Sequence, residues 1–380
     1  MNPWRACAVA AALLLGCARP DPFDDPEYAR VCASLPIHTV EERTAAAMKG
    51  YEISNLYDCI TRQSHDAVER QDADIARARA QRAAAAPAPA KLPPTLAEAR
   101  AQFSTRVSVP GAGVPLPQPP AELFVRADYA SDGRTLAAFV TPDPRDGAKH
   151  PAIVWITGGD SSSLDDFWTA GAADNDQSAS AFRKAGVVMM FPTLRGGNRN
   201  EGGHQYFLGE VDDVIAAGNR VAKLAYVDPG QIYLGGHSTG GTLVLLAAET
   251  TSRFKAVFAF GAVAEIGRYP DSLVPVDFSA LAREEAELRS PLHWLHGIST
   301  PAYLIEGRNP PGNLQELEAL CADKSNPQVH CLSVGGQNHF SVLAPATRVI
   351  AARIIAAADG RRDFDLHAGD FDAGDVGARP

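Results

Sequence analysis

The sequence predicts an α/β fold: a mostly parallel central sheet with helices on both faces, and a small helical appendage on its N-terminal side. Three observations carry this. From residue 122 onward, short apolar runs alternate with stretches of helical composition, the pattern of strands buried on both faces and joined through helices. A Gly236-x-Ser238-x-Gly240 pattern stands between an apolar run and an apolar helix. An Ala/Pro-rich stretch, 83–94, divides this region from what precedes it; its prolines forbid a continuing helix and favour extended chain.

Taken in order, 122–129 and 134–141 read as two strands about a turn at Ser131, Asp132 and Gly133. Further strands are expected at 151–156, 186–191, 231–234, 255–260, 301–305 and 328–334. Helices are expected at 174–185, 209–224, 239–252, 314–322 and 344–358. Sheets of this kind hold their sites at the carboxyl ends of the strands. Ser238 falls there, between strand 231–234 and the helix that follows. A serine on so tight a strand-to-helix turn is forced into strained backbone, and residues two before and two after it must be small. The start of the helix aims free N–H groups at whatever the serine attacks.

Residues 1–17 read as an export signal: Arg5 supplies the charge, and 6–15 is an apolar run too short for a stable membrane anchor. The run ends Leu14-Leu15-Gly16-Cys17, which resembles a bacterial lipobox with Cys17 as the lipidated residue; the alternative is an ordinary signal cut near Gly16 or Ala18. Ala18 after the cysteine resembles outer-membrane sorting. The expected location is therefore the periplasm as an outer-membrane lipoprotein, or else secretion. Cys32, Cys59, Cys321 and Cys331 then remain, and an even number in an exported protein suggests disulfides. Proximity favours Cys32–Cys59 and Cys321–Cys331 among three connectivities.

The expected organisation is a signal at 1–17, a helical appendage at 18–82, a linker and lead-in at 83–121, a catalytic domain at 122–358 and a tail at 359–380. The net charge is −10 and Lys and Arg form no basic stripe, so nucleic acid is not an expected partner. No Walker-type glycine loop, Cys-x-x-Cys pair or His-Glu-x-x-His pattern occurs, so no cofactor or metal is expected.

Over 122–357 the chain resembles an α/β-hydrolase of the prolyl-oligopeptidase and dienelactone-hydrolase kind. The resemblance rests on Tyr129-Ala-Ser-Asp-Gly-Arg-Thr-Leu136, the run 151–159 ending Thr157-Gly158-Gly159, Phe191-Pro-Thr-Leu-Arg195-Gly196-Gly197, and Glu210-Val-Asp-Asp213. It continues through Val227-Asp228-Pro229, the serine turn, and Gly336-Gln-Asn-His339-Phe340. The propeller domain of full-length prolyl oligopeptidases is not expected within these 380 residues.

The resemblance implies Ser238 as nucleophile and His339 as its base, with the serine first and the histidine last in the chain. A serine hydroxyl is protonated at neutral pH and needs such a base. The family commonly places an aspartate after strand 301–305. This chain has Glu306-Gly307-Arg308-Asn309 there, so Glu306 is the leading acid, with Glu265 and Asp271 as alternatives. The oxyanion hole is expected from the N–H groups of Thr239 and Gly159. Arg195 is expected at the rim of the site, with a structural role bridging loops beneath it favoured. The pair Asp212-Asp213 is expected to be a helix-face or loop-anchoring feature rather than a metal site. Residues 265–296 are expected to cap the pocket. Trp294, Phe278, Phe167 and Trp168 either wall an acyl site or belong to the core, the latter being favoured.

The expected function is hydrolysis of esters or short amides through an acyl-enzyme. A serine peptidase of prolyl-oligopeptidase type and a non-catalytic binding protein with the same fold are the alternatives. The expected partner is a small ester or short peptide, with membrane contact only through an N-terminal lipid.

Overall fold

The computed structural model describes residues 95–270, 273–278, 280–360 and 364–371, together with Arg77. Contacts divide the chain into two units, Met1–Lys91 and Leu92–Pro380, and everything below concerns the second. Cys17, Cys32, Cys59 and Asp271 lie outside the described residues, as do the export signal and nearly all of the expected appendage.

An eight-stranded sheet forms the centre. Its strands are β1 (Val125–Arg126), β2 (Ala138–Val140), β3 (His150–Ile156), β4 (Val188–Pro192), β5 (Val227–His237), β6 (Val257–Phe260), β7 (Ala302–Gly307) and β8 (Val329–Val334). Their spatial order is β8-β7-β6-β5-β3-β4-β2-β1. The six strands from β3 to β8 pair parallel to their neighbours. Strand β2 runs antiparallel to both β4 and β1. The turn at Asp132 and Gly133 closes a separate hairpin, Tyr129–Ser131 with Arg134–Leu136.

The helices are α1 (Leu96–Ala101), α2 (Ala181–Lys184), α3 (Gly209–Val221), α4 (Thr239–Thr250), α5 (Arg283–Glu287), α6 (Leu314–Leu320) and α7 (Leu343–Ala358). Strand alternation divides the core between two faces. On β3, Ala152, Val154 and Ile156 join α3, α4 and α6 on one face; Ile153 and Trp155 join α2 and α7 on the other. Burying each such large apolar side chain contributes about 1.5–3 kcal/mol. Among the described residues no helix is long and apolar enough to cross a membrane.

One expected helix is mostly absent. Of 174–185 only Ala181–Lys184 is helical. Asp176 instead accepts hydrogen bonds from the Gly171 N–H and the Ser178 hydroxyl, and Ala179 has φ +45°. Short polar side chains that bond nearby backbone compete with helix, and a left-handed residue ends it. Strands β5 and β7 run further than expected. Strand β7 continues to Gly307 and so carries Glu306.

The Arg195–Asp213 pair is part of the scaffold. Arg195 grips Asp213 through Nε (2.9 Å) and Nη2 (2.8 Å), while Asp213 also accepts from the Ser131 hydroxyl and the Arg195 N–H. Asp212 pairs with Arg100 of α1. Cys321, at the end of α6, is bonded to Cys331 of β8. In 265–296 the described chain forms short helical pieces, of which those at Pro291–His293 and Leu295–Gly297 pack on α4. Trp294 and Phe167 are buried in the core, and Phe278 and Trp168 pack against it.

Candidate active site

The loops leaving β3, β5, β6, β7 and β8 meet at the carboxyl edge of the sheet. Ser238 follows β5 and caps α4 at φ +55° and ψ −117°, a region a side chain occupies only at a cost of about 1–3 kcal/mol. The glycines around it show why the turn tolerates nothing larger. A Cβ on Gly236 would lie 2.6 Å from the Gly240 carbonyl oxygen; one on Gly240 would lie 2.3 Å from the Ile156 oxygen; one on Gly241 would lie 2.2 Å from the Phe260 oxygen. The Ser238 N–H is held by the Phe260 carbonyl at 2.8 Å.

His339 sits on the loop between β8 and α7 and is buried. Its Nδ1 lies 3.0 Å from Glu306 Oε2. Glu306 is buried too, and also accepts the N–H groups of Gly307 (2.8 Å) and Asn313 (3.3 Å). With Glu306 as acceptor, Nδ1 carries the proton and Nε2 is left as the basic atom. The imidazole lies against Gly261, the residue after Phe260. A Cβ on Gly261 would come within 2.3 Å of His339 Cε1. The carbonyl that holds Ser238 and the glycine that supports the His339 ring are thus consecutive. Among the described residues the Ser238 hydroxyl has no hydrogen-bond partner.

Of the other two carboxylates considered, Glu265 lies before a short 3-10 turn, Ile266–Arg268, and has no described hydrogen bond to His339. Asp271 is outside the described residues. Glu306 is therefore the carboxylate that the structure brings to the histidine. The longer glutamate side chain reaches it from within the strand, where an aspartate would need a position further along the loop.

The loop after β3 runs beside the serine. The position of a Cβ on Gly158 is 3.2 Å from Ser238 Cβ. The Gly158 N–H is taken by Gln177 Oε1 at 3.3 Å. Gly159 is left-handed at φ +75°, and its carbonyl accepts the Thr239 hydroxyl at 2.9 Å. Among the described residues, the N–H groups of Gly159 and Thr239 donate to no protein acceptor. Two free donors beside a serine are what a developing oxyanion requires.

His237 precedes the serine but belongs to the buried side of the turn. Burial and the neighbouring His339 pull its pKa down to about 3. Phe340, exposed, stands edge-on to the His339 ring with centroids 4.9 Å apart. Sequence reasoning did not single out Gln177, Gly261 or Asn313, whose amide nitrogen donates to the Gly261 carbonyl. Gln177 lies in an irregular stretch without a pattern, and Gly261 carried only the weak signal of a glycine directly after an apolar strand. Among the described residues, no group of three His, Cys, Asp or Glu side chains is placed to hold a metal ion.

A model of the prolyl oligopeptidase family matches residues 174–285, from the approach to α2 past the serine turn and into α5. No curated protein matches the chain. Among solved structures, a puromycin-hydrolysing peptidase of Mycobacterium tuberculosis aligns at a TM-score of 0.51 and 20% identity, over 62% of this chain and 40% of that one. A puromycin hydrolase aligns at 0.51 and 17%, over 63% of this chain and 39% of its own. The chain thus spans about two fifths of the length of these structures. The shared part is the fold, and this chain has the α/β-hydrolase fold.

Proposed function

We propose that this protein is a serine hydrolase that cleaves esters or short amides. The observation that carries the reading is the Glu306–His339 hydrogen bond of 3.0 Å beside a serine in strained backbone. In the first half-reaction His339 Nε2 takes the proton of Ser238 as Oγ attacks the substrate carbonyl. The N–H groups of Thr239 and Gly159 receive the negative oxygen. Glu306 fixes the tautomer and stabilises the imidazolium, which then protonates the leaving group. Water, deprotonated by the same imidazole, then attacks the acyl carbonyl, and the imidazolium returns that proton to Ser238 Oγ as the acyl–oxygen bond breaks. Removing one oxyanion donor in such a site costs about 10²–10³ in kcat.

A peptidase reading is favoured by the match to the prolyl oligopeptidase family over 174–285. Rates on p-nitrophenyl esters and on peptide anilides divide the two: an esterase turns over the first alone, a peptidase both. Covalent modification by a fluorophosphonate, abolished in Ser238→Ala, tests the shared mechanism. Absence of modification leaves a binding protein on a hydrolase fold.

Residues 1–17 support an exported protein held to a membrane by lipid on Cys17. The pairing Cys32–Cys59 belongs to the same proposal. Incorporation of labelled palmitate, lost in Cys17→Ser, tests the anchor.

A further inference from the structure

Four groups between the loop after β3 and the loop after β8 form one head-to-tail chain of hydrogen bonds. The Gly158 N–H donates to Gln177 Oε1 (3.3 Å), Gln177 Nε2 donates to His237 Nδ1 (2.8 Å), and His237 Nε2 donates to the His339 carbonyl (2.9 Å). We propose that Gln177 and His237 are positioning residues of the hydrolase site, a polar strut that holds the oxyanion loop and the main chain of the base in one register. The inference rests on the serine hydrolase reading and adds two residues to it.

The direction of the chain is fixed by chemistry. A backbone carbonyl only accepts, so His237 Nε2 carries the hydrogen. The Gln177 oxygen faces an N–H group, so its nitrogen faces His237; the second hydrogen of that nitrogen goes to Asn175 Oδ1 at 2.8 Å. His237 Nδ1 is therefore the acceptor, and the ring is the neutral Nε2–H tautomer. Burial of the ring and its 4.4 Å centroid separation from His339 both oppose a charge there. A cation on His237 would also oppose the imidazolium that His339 must become during the reaction. Chains of this kind polarise along their length, and one break weakens the whole.

The strut ends where the reaction needs placement. Gly158 lies against Ser238 and precedes Gly159. The other end holds His339 by its carbonyl, while the Pro311 carbonyl holds its N–H at 3.0 Å and Glu306 holds its ring. The Gln177 backbone is itself anchored, because the Trp155 indole donates to its carbonyl at 3.2 Å.

The test uses Gln177→Met, His237→Phe and His237→Gln in the full chain. Readouts are the second-order rate of fluorophosphonate modification, kcat and KM on p-nitrophenyl butyrate, and the melting temperature. Gln177→Met keeps the side-chain length and removes both bonds; it should lower kcat and the modification rate about 10- to 100-fold while KM and melting stay near wild type. His237→Phe should lose as much, and His237→Gln, which keeps a donor for the His339 carbonyl, should recover most of it. The double variant Gln177→Met/His237→Phe should be no slower than His237→Phe alone. Gln177 is partly exposed, so its variant decides the matter even if His237→Phe fails to fold. Wild-type rates in Gln177→Met would overturn the strut and leave the hydrolase intact. A wild-type protein that does not react with the fluorophosphonate would remove both.

Discussion

Replacing Gly261 with alanine should disable the site without unfolding the protein. The new Cβ would lie 2.3 Å from His339 Cε1 and 2.6 Å from Nδ1. Ordinary carbon contacts are about 3.5–4.0 Å, so the ring must retreat by at least about 1 Å. It cannot do so and keep a 3.0 Å bond to Glu306 Oε2, which itself would lie 3.1 Å from that Cβ. A displacement of this size costs about 10²-fold in rate. Gly261 is also left-handed at φ +61°, which for alanine costs about 1–2 kcal/mol. The control is Gly360→Ala: its φ is +68° with nothing within 4 Å of the added Cβ. By thermal melting Gly360→Ala should lose only the backbone cost, and Gly261→Ala that cost plus about 1–3 kcal/mol for displacing a buried ring. Only Gly261→Ala should lose ester hydrolysis, with the loss in kcat. Wild-type turnover in folded Gly261→Ala would refute the placement of the imidazole.

Glu306→Gln should lower kcat by about 10³–10⁴ with a small change in melting temperature, read by ester hydrolysis and circular dichroism. His237 makes the protein acid-sensitive: its folded pKa of about 3 lies below the ordinary 6.5, so the unfolded chain binds a proton that the folded one refuses. Stability is complete above pH 6.5 and falls as pH drops toward 3, by about 5 kcal/mol at most. Denaturant melts across that window should show a steeper loss of stability in wild type than in His237→Gln, which has no group to protonate there. Glu249, buried on α4 with neither oxygen hydrogen-bonded among the described residues, has its pKa raised well above the ordinary value by burial. Its cost grows as pH rises above about 4.5. Glu249→Leu should therefore stabilise by about 1–3 kcal/mol, more at pH 8 than at pH 5; a lower melting temperature at pH 8 would contradict this.

The parts of this molecule that were legible in the sequence are those set by short-range sterics and periodicity. Strand β3 shows as an unbroken apolar run because both its faces are buried. The Gly236-x-Ser238-x-Gly240 turn shows because a Cβ on either glycine would fall under 3 Å from a backbone carbonyl oxygen. Arg195 and Asp213 were legible as anchors, and they form a buried bidentate pair. Glu306 stood among three candidates, since no local pattern tells which carboxylate reaches a histidine 33 residues away. The helix expected over 174–185 misled because its composition is helical while Asp176 and Ala179 act locally against it. Gln177, within that stretch, has a role visible only once β3 and β5 lie side by side. Its partners Gly158 and His237 are respectively 19 and 60 residues away.

Peptide mass spectrometry after fluorophosphonate treatment addresses the catalytic claim most directly. The label should sit on Ser238, be absent in Ser238→Ala, and form far more slowly in His339→Ala and Glu306→Gln. An unlabelled wild-type protein, or a label on Ser238 whose rate ignores both partner residues, would contradict a serine driven by that imidazole and carboxylate.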